Sequence, residues 1–241
     1  MAKSLQEWID TDVKEARSKS IKWLSQYYFF RDPPRPCYFD PSYFFSPADG
    51  IIIYQKCVQP GECIIDIKGR MFCLEDAMQD AHFDKECLVI GIFMTFFDVH
   101  INRIPLAGYL TYREIEKIHS FNSPMLNVEK ELVYEARLAY HNAQYLFTNQ
   151  RVLNRIYSPA VKQPYYVLQI ADYDVDAIIP YTLKQNMHFH QNQRYSQVRF
   201  GSQVDLIVPT SKRYKYAFLL EAGIHVEAGI DPLIKITEPS D

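Results

Sequence analysis

Three polar clusters in this chain of 241 residues supply a serine, a histidine and an aspartate, which are the parts of a self-activating nucleophile. Ser202 follows Gly201 in Arg-Phe-Gly-Ser-Gln-Val-Asp, His100 lies in Asp-Val-His-Ile-Asn-Arg-Ile-Pro, and Asp49 lies in Ser-Pro-Ala-Asp-Gly. A serine hydroxyl becomes a nucleophile when a nearby base takes its proton and a third group orients that base. Taken singly, such a histidine is typical of a packed residue and an Asp-Gly pair of a turn. Only their combination points to chemistry.

The order of these clusters resembles the phosphatidylserine decarboxylase family. The resemblance is carried by Pro-Ala-Asp-Gly at 47–50, by Asp-Val-His at 98–100 with Pro105 and Gly108 downstream, and by Arg-Phe-Gly-Ser at 199–202. In that family the Gly-Ser bond cuts itself, and the serine becomes a covalently bound pyruvoyl group. The resemblance therefore implies a proenzyme that separates into chains 1–201 and 202–241.

In such a cleavage the Ser202 hydroxyl attacks the carbonyl of Gly201, and an ester replaces the amide. Gly201 lacks a Cβ, which favours a strained turn and close approach. β-Elimination then leaves dehydroalanine, which loses ammonia on hydrolysis and gives the pyruvoyl group. Its ketone forms a Schiff base with a substrate amine and takes up the electrons released when CO₂ leaves, so neither a metal nor a pyridoxal lysine is required.

The resemblance also implies roles for neighbouring residues. His100 would be the base and proton donor, and Asp49 the orienting acid. Many relatives carry a second histidine where this chain has Arg103. Whether His100 serves cleavage, decarboxylation or both therefore stays open. Arg103 either holds a substrate phosphate or carboxylate or makes an ordinary salt bridge. The candidate substrate-binding residues are Arg103, Asn102, Arg199 and Phe200.

The default substrate is phosphatidylserine, giving phosphatidylethanolamine. Two departures from the family pattern favour an alternative with the same chemistry on a soluble amino acid or a phosphoserine-like metabolite. A glycine and pair of arginines usual in the family are replaced by Asp-Tyr-Asp-Val-Asp at 172–176, and an Asn-Glu-Arg stretch reads Asn-Gln-Arg at 149–151. An alternative of another class is an uncut scaffold or pseudoenzyme on the same fold.

From about residue 44, short β-branched and aromatic segments separated by turn residues predict strands. The predicted strands cover 50–54, 63–67, 88–97, 165–170, 177–179 and 204–208, with a helical stretch near 74–83. Residues 128–138 suit a helix, a strand or a loop, and the repeated Glu-Ala-Gly-Ile at 221–230 suggests a tight hairpin or a crossover. The fold class is α+β and mostly β, with a single decarboxylase-like domain at 38–241 behind a helical extension at 1–37.

Apolar residues near a 3.6-residue spacing predict an amphipathic N-terminal helix over 3–28. Its apolar face either packs on the core or lies on a lipid surface, where Lys14, Arg17, Lys19 and Lys22 would meet anionic head groups.

Net charge, cysteine content and the length of apolar runs indicate the compartment and the kinds of partner. A net charge of −3 gives no electrostatic argument for nucleic acid, and five cysteines without a CxxC pair predict reduced thiols in the cytoplasm. The longest apolar run, 87–97, is too short to cross a bilayer, so membrane contact is expected to be peripheral. His188 and His190 lack a third ligand at suitable spacing, and no metal is expected. The family often dimerises, which implies a homo-oligomer.

Overall fold

The computed structural model describes residues 2–115, 123–138, 141–172, 177–199 and 201–238, and most of them lie in or around β-sheets. The strands are β1 (Lys3–Ser4), β2 (Tyr43–Phe45), β3 (Gly50–Val58), β4 (Cys63–Ile67), β5 (Arg70–Cys73), β6 (Cys87–Met94), β7 (Ile101–Arg103), β8 (Gly108–Ile115), β9 (Arg151–Ser158), β10 (Gln163–Ala171), β11 (Ile178–Pro180), β12 (Met187–Phe189), β13 (Arg194–Val198), β14 (Ser202–Pro209), β15 (Lys215–Phe218), β16 (Ile224–Val226) and β17 (Pro232–Thr237). The helices are α1 (Leu5–Trp8), α2 (Lys14–Arg17), α3 (Ile21–Trp23), α4 (Leu74–Met78), α5 (Leu126–Glu135) and α6 (Tyr145–Thr148). The predicted α+β, mostly β class is confirmed.

One antiparallel sheet of nine strands organises the molecule, in the order β1-β16-β3-β6-β14-β10-β9-β8-β12. Three smaller sheets, β11-β13-β7, β15-β17-β2 and β4-β5, pack around it. Every residue of β6 and β14 is buried, because these strands are central and covered on both faces. That double burial explains why the β6 sequence is continuously apolar.

Alternate side chains of the central strands enter two separate cores. Phe93 and Ile207 belong to one, with the N-terminal helices and α5, whereas Ile92 and Leu206 belong to the other. The strand predicted over 88–97 ends at Met94, because residues 95–98 form a turn in which the Asp98 carboxylate accepts the N–H of Thr95 at 2.8 Å.

The predicted amphipathic N-terminal helix is present but interrupted. It runs through α1, a π-helical segment at Ile9–Val13 and α2, and a second piece starts at α3 and continues as a π-helical segment at Leu24–Tyr28. Ser20 begins the second piece by accepting the N–H of Trp23 on its hydroxyl. Trp8, Val13 and Ala16 are buried against the sheet, so this face packs on the core. The division of the chain at residue 37 stays a prediction.

Two ambiguous segments are resolved. The stretch that suits helix, strand or loop contains α5, which ends where Ala136 adopts a left-handed conformation. The repeated Glu-Ala-Gly-Ile segment forms a crossover, because β16 pairs with β1 and β3. The helix predicted over 74–83 is shorter than expected and stops at Met78, before the left-handed Gln79.

Candidate active site

The ends of neighbouring strands bring the predicted catalytic residues to one end of the large sheet. Ser202 at the start of β14 lies opposite Met94 at the end of β6, and Ile51 of β3 lies opposite Phe93 of β6. Asp49 immediately precedes β3, and His100 follows β6. Gly50 is needed for this approach, because its φ is +150° and a Cβ there would collide with the carbonyl oxygen of Phe93.

Ser202 is fully buried, and its hydroxyl lies 3.1 Å from Sδ of Met94. A thioether is a weak acceptor, so this contact holds the hydroxyl only loosely. The carbonyl of Gly201 accepts the N–H of Asp172 at 2.9 Å. A Cβ at Gly201 would lie 3.4 Å from Oδ2 of Asp172, an ordinary contact. The strained turn expected at Gly201 stays a prediction, because Phe200 lies outside the described residues.

His100 is fully buried, with Nδ1 3.1 Å from the carbonyl oxygen of Asp98. A carbonyl oxygen only accepts, so Nδ1 carries the hydrogen and Nε2 presents a lone pair, which has no partner among the described residues. The Phe29 ring stacks on the imidazole with centroids 3.9 Å apart, and burial lowers the pKa of His100 to about 4. A neutral imidazole with a free acceptor nitrogen suits a base better than a proton donor at neutral pH.

Asp49 is buried in an ion pair with Arg35. Its Oδ1 and Oδ2 lie 2.6 and 2.5 Å from the two terminal nitrogens of Arg35, and Oδ1 also accepts the N–H of Ala228 at 2.8 Å. Burial alone would lower the pKa of Arg35, but the hydrogen bonds and charge of Asp49 outweigh burial and raise it. No hydrogen bond joins Asp49, His100 and Ser202 to one another in the described part of the chain, so the orienting role of Asp49 stays a prediction.

A second buried aspartate, Asp98, is paired with His225. Asp98 Oδ1 lies 2.7 Å from Nε2 of His225, and Oδ2 accepts the backbone N–H and hydroxyl of Thr95 at 2.8 and 2.7 Å. Burial alone would raise the pKa of Asp98, but His225 and Thr95 hold it below its usual value. The His225 ring stacks on Trp8 at 4.7 Å. The pair thus fastens the turn before His100 to β16.

Arg103 lies in a cluster of arginines at the same end of the molecule. Its guanidinium donates to the carbonyl oxygen of Asn192 at 3.0 Å and is 3.9 Å from Asp32, which is paired more closely with Arg194 at 2.8 Å. Burial lowers the pKa of Arg103, and the charges of Arg194 and Arg35 lower it further. Arg103 therefore makes a long, weak salt bridge and lies near two other cations.

The other candidate substrate-binding residues differ in their surroundings. Asn102 is fully buried, and its Oδ1 accepts a hydrogen bond from Gln169 Nε2 at 2.6 Å. Arg199 is exposed, and its backbone N–H donates to Ala177. Phe200 lies outside the described residues. Arg199 is thus freer than Asn102 to contact a ligand.

The opposite side of β14 carries a fully buried hydrogen-bonded network. Gln203 donates to Asp205 and to the hydroxyl of Tyr54, Tyr54 donates to Asp205, and Tyr145 donates to Gln203, at 2.6 to 2.7 Å. Burial raises the pKa of Asp205 to about 7. This network fixes the strand that begins with Ser202, while the Ser202 hydroxyl itself is weakly held.

An apolar cavity of about 690 Å³ adjoins the site. Phe29, which stacks on His100, forms part of its wall together with Leu24, Phe96, Phe97 and Leu126. A cavity of this size is within the range of small-molecule binding sites.

Comparison with known proteins identifies the family. The sequence profile of phosphatidylserine decarboxylase matches residues 25–232. The chain belongs to the phosphatidylserine decarboxylase family. A phosphatidylserine decarboxylase proenzyme of Cupriavidus pinatubonensis is 30% identical over 186 residues, covering 77% of this chain and 68% of the relative. That of Geotalea uraniireducens is 31% identical over 182 residues, covering 76% and 67%. A putative archaetidylserine decarboxylase proenzyme of Methanocaldococcus jannaschii is 26% identical over 204 residues, covering 84% and 85%.

Membership of this family makes the chain a decarboxylase proenzyme, and hence a carboxy-lyase. The fold adds residues that sequence reasoning did not select, namely Phe29, Arg35, Asp98 and His225. Asp98 belongs to the Asp-Val-His motif, but its partner His225 is 127 positions away, and no local spacing connects them. Arg35 lies in a proline-rich segment that predicts only the end of a helix.

His188 and His190, weighed as metal ligands from the sequence, have ring centroids 5.1 Å apart. No group of three or more His, Cys, Asp or Glu side chains that would hold a metal occurs within the described ranges. His188 also packs edge-on against Tyr109, as an ordinary surface residue does.

Proposed function

We propose that this protein cleaves itself between Gly201 and Ser202 and then decarboxylates phosphatidylserine to phosphatidylethanolamine. The observation that carries the lipid substrate is the apolar cavity, because its wall residue Phe29 is stacked on His100. A soluble amino acid has no hydrocarbon to fill such a cavity. The names of the bacterial relatives point to the same substrate.

Self-cleavage uses groups already at the end of the sheet. The Ser202 hydroxyl gives its proton to Nε2 of His100, and Oγ bonds to the carbonyl carbon of Gly201. The N–H of Asp172, 2.9 Å from that carbonyl oxygen, stabilises the negative charge that develops there. Breaking of the C–N bond leaves an ester and the amine of Ser202. Loss of the Ser202 α-hydrogen then releases the Gly201 carboxylate, and hydrolysis expels ammonia.

The residues around Ser202 fit a pyruvoyl group formed in this way. The serine is buried and loosely held beside Met94. The base is Nε2 of His100, which has no hydrogen-bond partner within the described ranges. The pyruvoyl group supplies an electron sink for the departure of CO₂. Arg103, with Arg35 and Arg194 nearby, supports binding of the substrate phosphate or carboxylate. Asp172 has one carboxylate oxygen occupied by the N–H of Met125 at 2.8 Å, which limits its repulsion of an anionic substrate.

Exposed apolar side chains at the cavity entrance support peripheral contact with a lipid surface. Ile21 is 84% exposed and Leu126 is 62% exposed, and both line the cavity. Tyr27 on the π-helical segment and Phe30 just after it are also exposed. Apolar side chains of this kind insert at the level of the head groups. None of the described helices has the length and apolar character required to span a bilayer.

The test compares substrates on the cleaved protein. Vesicles containing phosphatidylserine, free serine and phosphoserine are supplied separately, and CO₂ release is measured. We expect release from the vesicles alone. Release from serine or phosphoserine without release from the lipid would replace the lipid proposal with its soluble alternative. Vesicle flotation with Ile21→Ser measures the membrane contact, and binding should weaken relative to wild type.

A further inference from the structure

Glu129 is a buried carboxyl group in the wall of the apolar cavity, on the first turn of α5. Its side chain is 4% exposed. Oε1 accepts the backbone N–H of Phe96 at 3.2 Å, whereas Oε2 has no hydrogen-bond partner among the described residues. Buried polar atoms nearly always have a partner, so an unpaired one beside a cavity points to a partner supplied by a ligand.

The surroundings of Glu129 favour the uncharged form of its carboxyl group. Burial raises the pKa of Glu129 well above its usual value, and the charges of Asp98 and Asp172 raise it further, against the opposing effect of the Phe96 N–H. An uncharged carboxyl group has one O–H donor. Because Oε1 is already an acceptor, the hydrogen belongs on Oε2.

Glu129 lies where the apolar cavity meets the polar site. Glu129 contacts Phe96, and the chain runs from Phe96 through the turn at Asp98 to His100. The charge of Asp172 raises the pKa of Glu129, and the N–H of Asp172 contacts the carbonyl of Gly201. Leu126, one turn earlier on α5, lines the cavity. A glycerolipid with its head group at Ser202 and its chains in the cavity presents its ester groups at this junction. An ester carbonyl accepts hydrogen bonds and has none to donate.

We propose that Glu129 donates a hydrogen bond to an ester carbonyl of the lipid substrate and so selects ester-linked over ether-linked lipids. The inference rests on the proposed decarboxylation of a lipid. An ether oxygen is a weaker acceptor and does not project from the chain as a carbonyl does. Glu129 is thus a specificity residue, separate from the cleavage chemistry of Ser202 and His100.

The test measures binding, so that it does not depend on catalysis. Ser202→Ala protein, which keeps the single chain, is titrated with diacyl and dialkyl phosphatidylserine of equal chain length in neutral detergent micelles. We expect roughly three- to tenfold tighter binding of the diacyl lipid, the contribution of one net hydrogen bond. Adding Glu129→Met, which keeps side-chain length without a donor, should bring the ratio to about one. Glu129→Gln keeps an N–H donor and should retain part of the preference.

Glu135→Leu is the matched control, because Glu135 ends the same helix and is 3.5 Å from Arg137. It should keep the parent ratio. Equal binding of the two lipids by the parent, or an unchanged ratio in Glu129→Met, would overturn the inference, as would binding of neither lipid. A preference that depends on Glu129 in a protein that decarboxylates no lipid would refute the proposed function and support Glu129 only as a residue that binds lipid esters.

Discussion

Asp49 and Asp98 are both buried at the same end of the large sheet, and they are paired with different partners. Asp49 is held by Arg35, a cation at every accessible pH, whereas Asp98 is held by His225 and Thr95. Each aspartate also contacts the segment after Ser202, Asp49 through Ala228 and Asp98 through His225. Both therefore join the two chains that cleavage would produce.

The difference concerns what each aspartate does for the reactive residues. The Asp49–Arg35 pair ties the N-terminal segment over the start of β3 and makes no hydrogen bond to His100 or Ser202 in the described residues. Asp98 instead fixes the tautomer of His100 through its backbone carbonyl. The same residue type thus acts as a structural lock in one place and as a support for the candidate base in the other.

The largest effect is expected from breaking the Asp49 pair. In the single-chain Ser202→Ala background, Asp49→Ala leaves the buried Arg35 cation unpaired and should cost about 3–5 kcal/mol in the free energy of unfolding. Arg35→Met combined with Asp49→Ala should recover most of that loss, since no buried charge remains. Urea denaturation measures both. Equal losses in the single and double variants would show that the ion pair is not the source of the effect.

The second prediction concerns His100, the residue that Asp98 supports, and the dependence of stability on pH. In the unfolded chain His100 binds a proton below its ordinary pKa of 6.5, whereas in the folded chain it binds one only below a pKa of about 4. As pH falls from 6.5 to 4, wild type should therefore lose about 3 kcal/mol of stability that His100→Gln does not lose. Above pH 6.5 His100 is neutral in both states, and the difference between the two proteins should be constant. Parallel stability curves over pH 4–7, both in the Ser202→Ala background, would contradict the buried neutral imidazole.

Asp98→Asn should have a smaller cost, about 1–3 kcal/mol, because one amide oxygen replaces two carboxylate oxygens that accept three hydrogen bonds. The backbone carbonyl that fixes the tautomer of His100 is kept, but the turn that positions this carbonyl is loosened, so cleavage should slow. Asp66→Asn is the control, since its exposed side chain can still accept the N–H of Gly69. Thermal unfolding and the rate of chain cleavage are the measurements. Cleavage as fast as in the control would show that Asp98 does not support His100 in this reaction.

The smallest effect concerns the ring that covers His100. Phe29→Leu keeps an apolar side chain and should cost about 1 kcal/mol in stability. Because less of the imidazole is then desolvated, the pKa of His100 should move up from about 4 toward its ordinary value. NMR titration of the His100 ring reports this shift. A pKa that stays in place would show that Phe29 does not contribute to the desolvation of His100.

The sequence predicts most of the sheet because its strands are coded locally. Continuous β-branched and apolar runs identify β3, β6, β10 and β14, although the exact ends depend on turns such as the one at Thr95. The interruption of the N-terminal helix was not predicted, since the apolar spacing continues through it. Residues 128–138 are ambiguous from sequence because the buried Val128 and Leu132 favour a helix only once they have a core to pack against.

The candidate site is predictable to the same degree. Ser202, His100 and Asp49 lie at one end of the large sheet because each stands at or near a strand end, and their motifs are visible in the sequence. Their partners are set by the three-dimensional fold. Asp98 and His225 are far apart in sequence, and Glu129 becomes notable only when α5 places it beside the apolar cavity. Burial, rather than residue type, distinguishes these groups from ordinary surface carboxylates.

The most direct test of the central claim is the intact mass of the purified protein under denaturing conditions. The account predicts two chains, 1–201 and 202–241, with a carbonyl in place of the amine at the start of the smaller chain, and a single chain for Ser202→Ala. A wild-type protein that remains one chain of full mass, or a Ser202→Ala protein that is cut at the same bond, would contradict it.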